Sequence, residues 1–177
     1  MRIASSIALL LAVTLAASAP SVAAIRDWTL PNTAGGDYTL SEHTGSGPIL
    51  LLFWATWCVP CKRELKELHD TYSSFAEQGV EVLLISIDTQ KTMSRVRPYV
   101  QSKKLPWTSL LDSDHKVFKK YGGKSFVPYT VLLDTSGSPV FTHPKEMKDP
   151  GELIRKVESL LPPEESDETD EMGSASE

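Results

Sequence analysis

The sequence predicts an α/β domain: a central mixed β-sheet flanked by helices, with short strands ahead of it, a helical insertion and an antiparallel edge. Three observations carry this. Pro48 to Ala55 (PILLLFWA) and Val80 to Ile87 (VEVLLISI) are nearly continuous apolar runs, the pattern of strands covered on both faces. Between them, Pro60 to Gln78 places Leu65, Leu68, Tyr72 and Phe75 at spacings of three, four and three, one apolar stripe of a helix that Gly79 ends. Strand, helix and strand at this length make a parallel βαβ unit.

The first 24 residues stand apart from that domain. Arg2 is followed by an apolar stretch from Ile7 to Ala17 and by the small residues Val22-Ala23-Ala24, the layout of a secretory signal peptide cut after Ala24. Cleavage after Ala19 would put Pro20 beside the scissile bond, and the apolar stretch is shorter than the ~20 residues a membrane helix needs. An uncleaved anchor is the other reading. The expected domain runs over residues 25–161, in an extracytoplasmic compartment where disulfides persist.

Within it, Asp27 to Leu30 and Asp37 to Leu40 read as short strands separated by Asn32 and Gly35-Gly36. After the βαβ unit, Lys91 to Lys104 reads as a helix interrupted or kinked near Pro98. Trp107 to Leu111 is a short strand candidate and Lys116 to Tyr121 a short helix. Tyr129 to Leu133 and Pro139 to Thr142 form an expected hairpin around Thr135-Ser136-Gly137-Ser138. Gly151 to Leu161 closes the domain with Leu153, Ile154, Val157, Leu160 and Leu161 on one face.

Residues 162–177 (PPEESDETDEMGSASE) hold seven acids, no base and one apolar side chain, Met172, and read as a disordered acidic tail. Without those acids the net charge of −5 becomes +2, and +1 once Arg2 is removed. A nearly neutral domain argues against a nucleic-acid or anionic-lipid surface.

The two cysteines, Cys58 and Cys61, lie in FWATWCVPCKRE, at the corner between the first long strand and its helix. A staple this short constrains the unfolded chain little. Structural zinc asks for four ligands, and the histidines His43, His69, His115 and His143 are scattered singly, each expected to be solvated. At a helix start, Cys58 lies near free backbone N–H groups that favour a thiolate, and Pro60 is tolerated in the first turn. Cys61, three residues on, is placed to close a disulfide. Thiol–disulfide exchange needs one exposed attacking sulfur and one shielded resolving sulfur.

W-C-x-P-C after an apolar strand resembles the signature of the thioredoxin superfamily, and FWATWCVPCKRE resembles its TlpA/ResA-like branch of secreted thiol–disulfide oxidoreductases. The resemblance runs from about Trp28 to Leu161 and includes LISIDTQKTMSRVRPYVQSKKLPW and FVPYTVLLDTSGSPV. It implies a thioredoxin-like fold, a redox-active Cys58–Cys61 pair, and a cis Val127-Pro128 bond facing it whose backbone receives a substrate strand. Cytoplasmic thioredoxins carry a buried aspartate where this chain has Leu52, so another group must manage the Cys61 proton. Glu64 matches a glutamate of ResA-like members, lies one turn beyond Cys61, and has no basic neighbour three or four residues away. Trp57 is expected beside the disulfide as an apolar contact for partners, and Trp54 in the core; Tyr129 and Trp107 are read as core or as walls of a substrate groove.

The expected function is protein-disulfide reduction outside the cytoplasm by a monomer, with no cofactor or metal. The resemblance implies apocytochrome c or copper-site cysteines as substrates and a membrane thiol-reductant donor as partner. A copper chaperone is the competing class, but thioredoxin-fold copper chaperones separate their cysteines by three residues and add a histidine, whereas this chain has two, one of them proline. A thiol peroxidase is the third reading, although Thr56 precedes Cys58 by two residues rather than three.

Overall fold

The computed structural model describes residues 27–162. The signal-peptide expectation and nearly all of the acidic tail lie outside these residues. Strands β1 (Thr29–Pro31) and β2 (Asp37–Thr39) pair antiparallel as a separate ribbon, followed by a 3₁₀ turn at Leu40–Glu42. The two long apolar runs become β3 (Ile49–Trp54) and β4 (Glu81–Ser86), in parallel register with Leu51 opposite Leu83. Every residue of β3 is buried, as a continuous apolar run requires of a strand covered on both faces.

Between these strands the chain forms two helices, α1 (Val59–Glu67) and α2 (His69–Glu77), rather than the single expected one. Leu68 departs from helical geometry (φ −102°, ψ 15°), yet Leu68 N–H donates to the Glu64 carbonyl and Tyr72 N–H to that of Leu68. The hydrogen-bond ladder therefore bridges a local bend, and Leu65, Leu68, Tyr72 and Phe75 all stay buried. No proline or glycine marks the bend in the sequence. Gly79, at φ +91°, ends α2 with a left-handed residue, and the Val80 N–H turns back to the Phe75 carbonyl.

Pro98 does not interrupt a helix. A 3₁₀ turn at Met93–Arg95 leads into α3 (Val96–Ser102), and Pro98 occupies its third position, where a missing N–H costs nothing. Next come β5 (Thr108–Leu111), α4 (Lys116–Lys120), β6 (Tyr129–Leu133), β7 (Pro139–His143) and α5 (Gly151–Glu158). The five-stranded sheet has the order β5-β4-β3-β6-β7, parallel from β5 to β3 and antiparallel from β3 through β6 to β7. A bridge between Asn32 and Leu110 joins the β1–β2 ribbon to the sheet edge. Phe53, Trp54, Tyr72 and Phe118 are among the largest fully buried side chains.

Candidate active site

The C-terminal ends of β3 and β4 lie side by side, so whatever follows one strand meets whatever follows the other. After β3 comes Ala55-Thr56-Trp57-Cys58; after β4 come Ile87 and Asp88. Asp88 is fully buried and its carboxylate binds the corner. It accepts from the Thr56 N–H at 2.7 Å, the Thr56 hydroxyl at 2.6 Å and the Ser86 hydroxyl at 2.8 Å. The Cys58 N–H closes the turn onto the Ala55 carbonyl at 3.1 Å. Reading the sequence missed Asp88. Its signal was an acid directly after an apolar strand whose parallel neighbour carries the cysteines.

Cys58 is the N-cap of α1, and its Sγ accepts from the Cys61 N–H at 3.1 Å. Cys58 and Cys61 form a disulfide with a Cα–Cα distance of 5.3 Å. The same N–H would stabilise a thiolate on Cys58 after reduction. Cys61 is 1% exposed and Cys58 only 4%, so the expectation of an exposed attacking sulfur is corrected for the oxidised state. The cause is the loop ahead of β6. The Val127 carbonyl oxygen lies 3.4 Å from Cys58 Sγ, and Val127-Pro128 is cis.

Around this covered disulfide the surface is apolar. Trp57 is 54%, Val59 67% and Phe126 79% exposed. Phe126 was not singled out from the sequence, although it directly precedes the Val-Pro pair. Trp54 is core, packed beside Tyr99. Tyr129 and Trp107 are core as well: the Tyr129 hydroxyl donates to the Tyr121 carbonyl, and Trp107 packs edge-on against Tyr72.

Glu64 lies one turn beyond Cys61 and is 3% exposed. Its Oε1 accepts from the Tyr72 hydroxyl at 3.1 Å and its Oε2 from the Met147 N–H at 2.7 Å. Burial pushes its carboxyl up to about 7, against the two hydrogen bonds and with a small push from Glu146. Tyr72 is raised well above its ordinary value by its own burial and then by Glu64. Leu52 is buried and faces Thr130 in register, so that strand position carries no acid. The neighbouring Arg63 does not reach Glu64; its guanidinium forms a fork on Glu146.

The histidines are less solvated than expected. His43 Nδ1 lies 3.1 Å from Glu81 and its ring stacks on Tyr38, and His115 Nε2 lies 2.8 Å from the Ile87 carbonyl. A carboxylate at the start of β4 and a backbone carbonyl just past its end hold them. Among the described residues, no three His, Cys, Asp or Glu side chains group as a metal site.

A mixed five-stranded sheet, a Cys-x-x-Cys disulfide capping the first long helix and a cis-proline against it define a thioredoxin-like domain. The chain belongs to the AhpC/TSA family, whose profile matches residues 22–138. It is 31% identical over 111 residues to the thiol-disulfide oxidoreductase ResA of Geobacillus thermodenitrificans, covering 63% of this chain and 62% of that protein. To ResA of Geobacillus kaustophilus it is 29% identical over 138 residues, covering 77% of this chain and 75% of the relative. A solution structure of a thioredoxin-like protein from Porphyromonas gingivalis superposes with a TM-score of 0.63 at 29% identity, covering 75% of this chain and 88% of the other.

Proposed function

We propose that the protein is an extracytoplasmic thiol–disulfide oxidoreductase that reduces protein disulfides through Cys58 and Cys61. The carrying observation is the Cys58–Cys61 disulfide at the α1 N-terminus, with Cys58 Sγ hydrogen-bonded by the Cys61 N–H and 3.4 Å from the cis-proline loop. In the reduced protein the Cys58 thiolate attacks one sulfur of a substrate disulfide. That bond breaks, and the leaving substrate sulfur takes a proton as a thiol. Cys61 then loses its proton to Glu64 and attacks Cys58 in the mixed disulfide, and the second substrate sulfur leaves as a thiolate that takes a proton from water. Two electrons pass to the substrate and the Cys58–Cys61 disulfide reforms.

A carboxyl near 7 suits the proton step, since an acceptor works best with a pKa close to the ambient pH. Val127 and Pro128 would hold the substrate backbone beside Cys58, and Trp57 would supply apolar contact. The leader-like first 24 residues support the compartment, and an oxidising compartment calls for a membrane dithiol as electron donor. The substrates best suited to this reading are cysteine pairs of apocytochrome c or of copper sites under assembly. The peroxidase reading is weaker, because the Thr56 hydroxyl is spent on Asp88 at 2.6 Å.

The test is trapping. A Cys61→Ser protein expressed in its own cells should accumulate mixed disulfides through Cys58, with substrates identifiable after reduction. Absence of such adducts, together with no reduction of insulin by the wild-type dithiol, would reject the proposal.

A further inference from the structure

A cleft of about 660 Å³ opens beside the disulfide, between α1 and the stretch from Tyr99 to Leu105. Val59, the residue after Cys58, lies at its mouth; Leu65, Tyr99 and Leu105 supply apolar wall; Lys62, Lys66 and Lys103 line it. Arg63, also at the edge, is neutralised by Glu146. Among the described residues the three lysines form no ion pair. Lys62 instead holds its ammonium 5.2 Å over the Tyr99 ring. A domain that is nearly neutral as a whole therefore concentrates three unmatched positive charges around one apolar cleft. Such an arrangement repels itself when empty and is relieved by an anionic occupant.

Topology relates this cleft to the chemistry. The cis-proline loop leads into β6, on one side of β3, while α3 links β4 to β5, on the other. Cys58 follows β3 and lies between them. A partner strand lying along Val127 and crossing Cys58 Sγ therefore continues over Val59 toward the cleft.

We propose that the cleft docks an acidic segment of the partner protein, anchored by an apolar side chain and adjoining the partner's reacting cysteine. The proposal rests on the disulfide-exchange reading above and adds the class of partner. Carboxylates of the segment meet Lys62, Lys66 and Lys103, while its apolar side chain covers Leu65 and Leu105.

Two cystine-loop peptides test it. They are identical except for a flank of one phenylalanine followed by four glutamates or by four glutamines. At low salt the wild-type dithiol should reduce the glutamate peptide with a kcat/KM about 10-fold above that of the glutamine peptide, as expected of electrostatically steered docking. The ratio should fall to about one in high salt, where exposed charges are screened, and to one or below in K62E/K66E/K103E, where the charge of the cleft is reversed. A wild-type ratio of one, or a ratio that survives the triple substitution, overturns the proposal.

The glutamate peptide with serines in place of its cysteines, titrated into the oxidised protein by calorimetry, reads the cleft without exchange. Binding that the triple substitution abolishes, with neither cystine peptide reduced, keeps the docking site and sinks the oxidoreductase reading. Reduction of both peptides without charge preference does the opposite. A chain ending at Pro162 that binds the serine peptide when the full chain does not would assign the cleft to the protein's own acidic tail. That result would overturn the partner assignment.

Discussion

Glu64→Gln is the sharpest perturbation of the candidate site, because it keeps the shape of a buried side chain and removes its titration. In the folded protein burial lifts the Glu64 carboxyl from 4.5 to about 7, which corresponds to roughly 3 kcal/mol of preference for the neutral form. Below pH 4.5 the group is neutral in both folded and unfolded chains, and its contribution to stability is complete. Between 4.5 and about 7 the unfolded chain releases a proton that the folded one keeps, so stability falls with rising pH and then levels off.

A glutamine does not titrate. The wild-type minus Gln difference in urea-unfolding free energy should therefore decline by up to roughly 3 kcal/mol across that interval. Its amide oxygen can still accept from Met147 N–H and its NH₂ can donate to Tyr72, so the variant should stay folded. It cannot take the Cys61 proton. Disulfide reduction should slow by about 10-fold or more, within the range of general-base contributions. The rate should also lose its rise with pH near 7. The assay is a pair of pH–rate profiles from pH 5 to 9, on the order of one measurement per half unit around the expected inflection. Superimposable profiles would refute the catalytic role and leave Glu64 as a buried link between α1, α2 and Met147.

Alkylation of the reduced protein should modify Cys58 before Cys61, with a Cys58 pKa below the ~8.5 of a free thiol; preferential labelling of Cys61 would reverse the assignment. Pro128→Thr should prolong the lifetime of mixed disulfides in a quenched-reaction gel assay, and an unchanged lifetime would remove the loop from the release step. Asp88→Ala strips the partner from Thr56 N–H and from the Thr56 and Ser86 hydroxyls, and should cost about 3 kcal/mol in urea unfolding. A loss below about 1 kcal/mol would mean that water replaces the carboxylate. Ending the chain at Leu161 should leave the melting temperature and insulin reduction unchanged, and a drop of several degrees would show that the tail docks on the domain.

The sheet was legible because its two central strands are apolar throughout, a pattern few alternatives tolerate; β6 was bounded correctly for the same reason. Helix continuity was not. The stripe of Leu65, Leu68, Tyr72 and Phe75 specifies which face is buried but says nothing about one non-helical ψ at Leu68. Pro98 misled because its effect depends on the helix start, and a proline is harmless in a first turn. At the site, the cysteine pair was legible from its place at a strand-to-helix corner, the cis-proline from resemblance, and Glu64 as a candidate from both its helix position and resemblance. Asp88, Tyr72 and Met147 were not, because each acts through a contact between residues distant in sequence: Thr56 with Asp88, and Glu64 with Tyr72 and with Met147.

Those long-range contacts also explain how the active pair can open without endangering the fold. A disulfide spanning three residues removes little entropy from the unfolded chain, so reducing it forfeits little stability. What holds the corner is independent of the sulfur bond. Asp88 clamps Thr56 ahead of Cys58, Glu64 ties α1 to Tyr72 and to Met147, and the stripe of α1 and α2 is buried. The sulfurs are thus mounted on a scaffold whose own contacts do not depend on the disulfide. Because these contacts do not involve the sulfur–sulfur bond, the Cys61 N–H that meets Cys58 Sγ in the disulfide is placed to donate to that atom when it becomes a thiolate. Preorganisation of this kind favours the attacking form at no cost in reordering, whereas a corner held only by its disulfide would relax on reduction and lose the hydrogen bond.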